Sequence, residues 1–159
     1  MEKKSIVHLL IEKKKTLALA ESCTGGFIAN QITNVPGSSK IFLGGVVAYA
    51  NEVKQKFLGV RAKTLQRHGA VSRAVAREMA AGARKRFGAD FAIAVTGIAG
   101  PSGGTKSKPV GTVFIAVAGP FGVLVERKLN RLEREKFKKV TANQALNLLK
   151  ANILKVKFA

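Results

Sequence analysis

Cysteine, histidine and aspartate are scarce in this chain, and each scarcity excludes a class of site. Cys23 is the single cysteine among 159 residues, so no internal disulfide can form, and we expect a reducing compartment, the cytoplasm. Two histidines, His8 and His68, and one aspartate, Asp90, supply too few ligands for a multi-ligand metal site. The same scarcity leaves almost no histidine or aspartate from which a Ser-His-Asp triad could form. We therefore expect neither a metal nor another cofactor.

Long apolar runs are also missing. None approaches the ~18 residues that a membrane-spanning helix needs, so we expect no membrane partner. The N-terminus has basic residues before a short apolar stretch, as a signal peptide does. However, Glu2, His8 and Glu12 interrupt the stretch and no small-residue cleavage site follows, so we expect no signal peptide.

Basic residues, in contrast, are abundant. The chain has 28 Lys and Arg against 9 Asp and Glu, which gives a formal charge of +19. With 47% hydrophobic residues the composition is that of a folded protein, and the length predicts one domain over residues 1–159. The charge makes nucleic-acid binding an alternative function. However, no recognised nucleic-acid motif is present, and one tyrosine and no tryptophan leave little for base stacking. We therefore expect nucleic acid only as a non-specific partner.

The hydrophobic pattern predicts alternating helices and strands. Helices are predicted at about 2–13, 27–32, 51–58, 73–87 and 134–152. Strands are predicted at about 16–20, 41–49, 91–95, 110–118 and 122–129, the last two as a hairpin. Crossovers between strands together with one hairpin imply a three-layer α/β/α sandwich with a mixed, mostly parallel sheet of about five strands. The excess of positive charge lies mainly in stretches predicted to be helices outside this sheet.

Ser22 is the first candidate for chemistry, because it follows a buried strand and precedes a helix. Backbone N–H groups at such a helix start can stabilise an oxyanion or bind a phosphate. Alternatively, Ser22 or Thr24 simply caps the helix. Cys23 is a stronger intrinsic nucleophile, but a lone thiol is more often a small buried side chain. Because adjacent strand residues point in opposite directions, we expect just one of Ser22 and Cys23 to face a cleft.

A serine nucleophile needs a base, and the scarcity of histidine leaves Tyr49 and Lys54 as candidates. Tyr49 ends a predicted strand and Lys54 lies in the next helix. The carboxyl ends of parallel strands meet at the edge where α/β proteins bind ligands, so both can reach Ser22. A lysine acts as a base if burial lowers its pKa, whereas most lysines are solvated surface groups.

The segment 97–109 is the third feature, with four glycines, two prolines and two lysines. Glycines after a buried strand let backbone N–H groups approach an anion closely, and Thr96 precedes them at the strand end. The glycine spacing matches neither a P-loop nor a dinucleotide fingerprint. The alternative interpretation is a mobile surface loop.

Taken together, these segments resemble the C-terminal domain of the CinA family, which includes the nicotinamide-nucleotide amidohydrolases called PncC. The resemblance covers residues 17 to about 149 and rests on six motifs in the family's order. These motifs are Ala20-Glu21-Ser22-Cys23-Thr24-Gly25-Gly26, Val35-Pro36-Gly37-Ser38-Ser39, Gly44-Gly45-Val46-Val47-Ala48-Tyr49 with Asn51 and Lys54, His68-Gly69-Ala70-Val71-Ser72, Thr96-Gly97-Ile98-Ala99-Gly100-Pro101 with Gly103-Gly104, and Lys108-Pro109-Val110-Gly111-Thr112-Val113.

The resemblance implies hydrolysis of the carboxamide of nicotinamide mononucleotide to nicotinate mononucleotide and ammonia, without a metal. It implies that Ser22 is the nucleophile and that Tyr49, Lys54 and Thr96 are polar active-site residues. The family also has a Gly-Asp-Arg-like segment followed by a second arginine. Here Arg134 takes the first arginine position, but the Gly-Asp is lost and Lys138 replaces the second arginine. The larger family's N-terminal nucleotide-processing domain has no counterpart here, so we expect none of its activity.

The resemblance and the residue chemistry together predict a substrate-binding set around Ser22. Backbone N–H groups near Gly25 and Gly26, or near Gly97, are expected to hold an oxyanion, and Lys108 or Arg134 the phosphate. Tyr49 either transfers a proton or stacks on the pyridinium ring. The full set comprises Thr24, Gly25, Gly26, Gly97, Gly100, Lys108 and Arg134. A catalytically silent nucleotide- or partner-binding domain of the same fold is the alternative, and both monomer and homo-oligomer are compatible with the sequence.

Overall fold

The architecture is given by a computed structural model that describes residues 5–155. Its helices are α1 (Ile6–Lys13), α2 (Phe27–Thr33), α3 (Asn51–Leu58), α4 (Ala62–His68), α5 (Arg73–Phe87) and α6 (Arg134–Lys155). Its strands are β1 (Leu17–Glu21), β2 (Phe42–Val47), β3 (Phe91–Gly97), β4 (Thr112–Gly119) and β5 (Gly122–Leu129). A single 3₁₀ turn, Ser38–Lys40, precedes β2 in the described chain. No helix within this range is long and apolar enough to cross a bilayer.

The five strands form one sheet in the order β2-β1-β3-β4-β5. β1 pairs in parallel with both β2 and β3, whereas β4 is antiparallel to β3 and to β5. Four strands therefore run in one direction and β4 opposes them in the described sheet. The predicted mixed sheet and the β4–β5 hairpin are confirmed.

Alternation of side-chain size along the strands decides how the helices pack on the two faces. On β1, Leu17 and Leu19 face one layer, formed by α1, α2 and α6, while Ala18 and Ala20 face the other. The second face is lined mainly by alanines from β1, β3 and β4, and α5 packs across it with α3 and α4 outside. Small side chains let α5 lie close to the sheet, and the result is the predicted three-layer sandwich.

Most predicted element bounds agree with the structure. α3 has the predicted bounds, and α5 begins after the predicted cap Ser72, whose hydroxyl accepts the Val75 N–H at 3.2 Å. Gly88 ends α5 in a left-handed conformation, φ 61°, as predicted. For the first helix, the predicted residues 2–4 lie outside the described range.

The helix α4 is not predicted by the sequence pattern, because Leu65 is its one large apolar residue. The structure stabilises its start from outside: the Glu78 carboxylate on α5 accepts the Arg61 N–H at 2.9 Å and the Thr64 hydroxyl at 2.8 Å. Since the capping group comes from another helix, local sequence does not reveal it.

Candidate functional site

A cavity of about 290 Å³ lies at the carboxyl ends of the parallel strands β1, β2 and β3. The four predicted catalytic residues line this cavity: Ser22 after β1, Tyr49 after β2, Lys54 on α3 and Thr96 on β3. Gly97, Gly100 and Arg134 from the predicted binding set line it as well. Ligands of open α/β sheets bind at this edge, so the topology brings together residues far apart in sequence.

Lys54 is a buried residue of the cavity wall, with 1% of its surface exposed. Its Nζ lies 3.2 Å from Ser22 Oγ and donates to two main-chain carbonyls, Ala48 O at 2.8 Å and Tyr49 O at 3.1 Å. Burial lowers the pKa of Lys54 below its ordinary value, because the charged ammonium loses its hydration.

The three contacts of Lys54 Nζ fit either protonation state of the amine. An ammonium donates to Ser22 Oγ and to both carbonyls, whereas a neutral amine donates to the carbonyls and keeps a lone pair that can accept the Ser22 proton. Burial disfavours the ammonium, which lowers the pKa of Lys54. The short distance together with the lowered pKa makes Lys54 the candidate proton acceptor for the serine.

Tyr49 lies at the mouth of the cavity, with 60% of its surface exposed. Its hydroxyl accepts a hydrogen bond from Arg134 Nη2 at 2.8 Å, and Arg134 Nη1 donates to the Gly100 carbonyl. Arg134 therefore reaches the cavity although the Gly-Asp before it is lost. Lys138 also lies near: its Nζ is 3.7 Å from the position that a β-carbon on Gly25 would occupy.

Cys23 also lines the cavity, contrary to the expectation that just one of the two adjacent residues faces it. Both residues follow the last residue of β1, Glu21, so strand alternation no longer governs them. Burial raises the pKa of the Cys23 thiol to about 12. The thiol therefore stays protonated near neutral pH and is a poor nucleophile beside Ser22.

Glu21 is the residue that sequence reasoning missed. Its buried carboxylate accepts three main-chain N–H groups at the start of α2, from Gly26 at 3.1 Å, Ile28 at 3.1 Å and Ala29 at 2.9 Å. It also accepts the Thr24 hydroxyl at 2.6 Å. A helix start exposes unpaired N–H groups, and Glu21 satisfies them from inside the fold. The local sequence does not show that this carboxylate is buried, so it held no signal for the role.

This arrangement determines where Thr24, Gly25 and Gly26 lie. Thr24 binds Glu21 instead of capping the helix, and the N-cap of α2 is Gly26 with φ 99°. The N–H groups of Gly25 and Gly26 donate to Ser22 O and Glu21 respectively. None of these three residues lines the cavity. They shape the turn that carries Ser22, and both glycine N–H groups already have acceptors.

Of the remaining predicted residues, Thr96 lies at the cavity and Lys108 does not. The Thr96 hydroxyl donates to Ala70 O at 2.9 Å, which ties the end of β3 to the wall of the cavity. Lys108 is not among the residues that line the cavity; its Nζ donates to His68 O at 2.8 Å. Asn51, at the first position of α3, does line the cavity, although the sequence predicted no role for it in the site.

Glu21→Gln is expected to destabilise the fold by about 1–3 kcal/mol. An amide has one acceptor oxygen, so in either orientation its NH₂ group faces at least one of the buried donors that the carboxylate accepts. Urea unfolding measures the change. Glu52→Gln, an exposed glutamate in the first turn of α3, is the matched control and should change stability by less than about 1 kcal/mol. Equal effects of the two substitutions would contradict the capping role.

Within residues 5–155 no group of three or more His, Cys, Asp or Glu side chains is arranged to hold a metal ion. The polar side chains of the cavity include the Ser22 hydroxyl, the Lys54 amine, the Tyr49 phenol and the Arg134 guanidinium, with Cys23, Asn51, Thr96 and Ser102 beside them. This set is suited to acyl transfer by a serine and a lysine, with cationic groups at the mouth for an anionic ligand.

Comparison with known proteins identifies the family of the chain. The CinA C-terminal domain profile matches residues 2–153. A CinA-like protein of Synechococcus sp. (strain RCC307) is 50% identical over 150 residues, covering 93% of this chain and 36% of the relative. A CinA-like protein of Thermotoga sp. (strain RQ2) is 57% identical over 112 residues, covering 70% of this chain and 28% of the relative. The chain thus spans about a third of the length of these curated relatives.

Solved structures show the same fold. The competence damage-inducible protein A (ComA) from Klebsiella pneumoniae superposes with a TM-score of 0.92 at 35% identity, covering 96% of this chain and 94% of that one. A competence/damage inducible protein from Agrobacterium tumefaciens gives 0.89 at 42% identity, covering 92% and 90%. With matching motifs, profile and structure, the chain belongs to the CinA family and corresponds to its C-terminal domain.

Proposed function

We propose that this domain is a nicotinamide-nucleotide amidohydrolase, which converts nicotinamide mononucleotide to nicotinate mononucleotide and ammonia. The observation that carries the proposal is the buried Lys54 amine, 3.2 Å from Ser22 Oγ in a cavity at the strand ends. Its lowered pKa supports a neutral amine that acts as general base.

The reaction proceeds through an acyl-enzyme. Lys54 accepts the Ser22 proton as Oγ attacks the carboxamide carbon, which gives a tetrahedral intermediate. The proton then passes from Lys54 to the amide nitrogen, the C–N bond breaks and ammonia leaves. Water attacks the resulting ester and gives one proton to Lys54, and Ser22 recovers this proton as the C–O bond breaks. The carboxylic acid product releases the second proton of the water to solvent and departs as the carboxylate.

Two cations support a substrate that carries a phosphate. Arg134 lines the cavity, and Lys138, outside the lining, lies beside Gly25 and acts electrostatically on Cys23, which does line it; both are candidates to hold the phosphate. Lys108, the other predicted phosphate ligand, points to the His68 carbonyl instead. The hydrogen bond from Arg134 to the Tyr49 hydroxyl supports Tyr49 as a wall for the cationic pyridinium ring more than as a proton carrier.

Release of ammonia from nicotinamide mononucleotide by the purified chain tests the proposal. We expect turnover within the ordinary enzyme range of ~1–10³ per second, unaffected by a metal chelator. Cys23→Ala is the matched control beside the nucleophile and should keep most of the activity, because the thiol is protonated. Absence of turnover, or loss of activity in the cysteine variant, would contradict the serine mechanism.

The altered segment before α6 favours one alternative, a catalytically silent domain that binds the nucleotide without cleaving it. Lys138 stands where the family pattern has a second arginine, and lysine does not reproduce the bidentate contact of a guanidinium. Calorimetric binding of nicotinamide mononucleotide without ammonia release would favour this alternative. A cytoplasmic location stays a prediction from the single cysteine.

A further inference from the structure

A row of basic side chains lies along the free edge of the sheet. β5 is the last strand in the sheet order, so one side of it has no partner strand in the described structure. Two arginines of α5 and one of β5 lie there, with two lysines of the neighbouring loop. We call this surface the basic edge, and it consists of Arg73, Arg77, Lys106, Lys108 and Arg127.

Hydrogen bonds to main-chain carbonyls hold most of these side chains in place. Arg77 Nη1 donates to Val123 O at 3.1 Å, and Arg73 Nη1 donates to Val125 O. These two carbonyls are two residues apart on β5, so the strand spaces the guanidinium groups by about 7 Å. Each guanidinium has five N–H donors, and one bond to a carbonyl leaves most of them for a ligand.

The row continues from the strand into the loop. Arg127 Nη2 donates to Ser107 O at 2.7 Å, and Lys108 Nζ donates to His68 O at 2.8 Å. The described cations therefore form a line from the middle of α5 past β5 to the end of α4. None of the five lines the catalytic cavity, so the row is not required for the chemistry proposed above.

Nearby carboxylates leave this charge unneutralised. Glu78, next to Arg77 in sequence, binds Arg61 of the α4 start at 2.6 Å. Glu126, next to Arg127, binds Lys128 at 2.8 Å. Both carboxylates thus have other cationic partners, and the row keeps its positive charge within a chain of net charge +19.

We propose that the basic edge binds the phosphate backbone of duplex nucleic acid without sequence preference. A line of arginines with free N–H donors suits phosphates, and contacts to phosphate carry no sequence information. The row contains no aromatic side chain that could stack on unpaired bases, and a duplex offers the higher density of charge.

Fluorescence anisotropy with a labelled 20-base-pair duplex, measured from 50 to 300 mM KCl, tests the proposal. The triple substitution R73Q/R77Q/R127Q removes three charges and retains amide donors for the carbonyls. The slope of log K against log salt is negative, and each lost phosphate contact reduces its magnitude by about 0.9. We therefore expect a slope shallower by ~2–3 and affinity at least ~30-fold weaker at ~100 mM. The single substitution Lys106→Glu, at an exposed loop residue, should also weaken binding several-fold. It leaves the three arginines in place.

The matched control K13Q/K139Q/K155Q removes the same charge from α1 and α6, which cover the other face of the sheet. It should change the slope by less than 1. No binding by the wild-type chain at 50 mM KCl, or equal losses in the two triple variants, would overturn the proposal. So would competition by polyglutamate as strong as that by duplex, because the partner would then be any acidic polymer. Unlabelled duplexes of unrelated sequence should compete equally.

Discussion

Ser22→Ala and Lys54→Met should each lower kcat for carboxamide hydrolysis by about 10³-fold or more, and the double variant should be little worse than either. A nucleophile and its base act as one unit, so their losses do not add. Methionine has nearly the length of lysine and no amine, which makes it the closest neutral replacement for a side chain with 1% exposure. Steady-state ammonia release measures all three variants against the wild type.

The pH profile distinguishes a base from a merely structural lysine. The pKa of Lys54 lies below its ordinary value because the amine is buried, and the neutral form is the active one. The rate of the wild type should therefore rise with pH through that lowered pKa and level off above it. In Lys54→Met this rise should disappear from the residual activity. A retained rise would assign the titration to another group and remove Lys54 from the mechanism.

Gly82→Ala should destabilise the domain by about 3 kcal/mol or more and lower Tm by roughly 10 °C. Gly82 lies within α5, where alanine normally stabilises a helix by about 1 kcal/mol over glycine. Here a β-carbon would lie 1.7 Å from Leu58 O and 2.7 Å from Leu58 C, both main-chain atoms at the end of α3. The helices must separate to admit it, and thermal and urea unfolding measure the cost.

Gly59→Ala is the matched control for this substitution. Gly59 has nothing within 4 Å of its would-be β-carbon but adopts a φ of +70°. The expected cost there is the strain of a left-handed alanine alone, about 1 kcal/mol. If Gly82→Ala instead stabilises the domain, helix propensity governs the position and α3 does not pack on α5 this tightly.

Local pattern was sufficient for the five strands and for every described helix except α4, and for the places of the candidate side chains on them. The buried run before Ser22 predicts a strand, and Ser72 and Gly88 mark the ends of α5. The match to family motifs then related Ser22, Tyr49, Lys54 and Thr96 to one site. These inferences hold because strand periodicity and caps depend on neighbours in sequence.

Helix α4 and the Glu21 cap could not be predicted in the same way. The start of α4 is stabilised by Glu78, which lies 17 residues after Arg61. Glu21 directly follows the predicted strand 16–20, and nothing local shows that its carboxylate turns inward to meet the start of α2. Lys108 was predicted to face the phosphate, yet its position in a glycine-rich loop left its direction undetermined.

By itself the sequence determined that this is an α/β domain of the CinA family, with Ser22 after a buried strand and a large excess of positive charge. Only the tertiary structure showed which of these residues lie close together. Parallel pairing of β1 with β2 and β3 brings Lys54 under Ser22, and burial lowers its pKa. The edge position of β5 aligns three arginines in one row. The contact between Lys54 and Ser22 and the row of arginines both depend on distances between residues far apart in the chain. Sequence periodicity and composition carry no information about such distances.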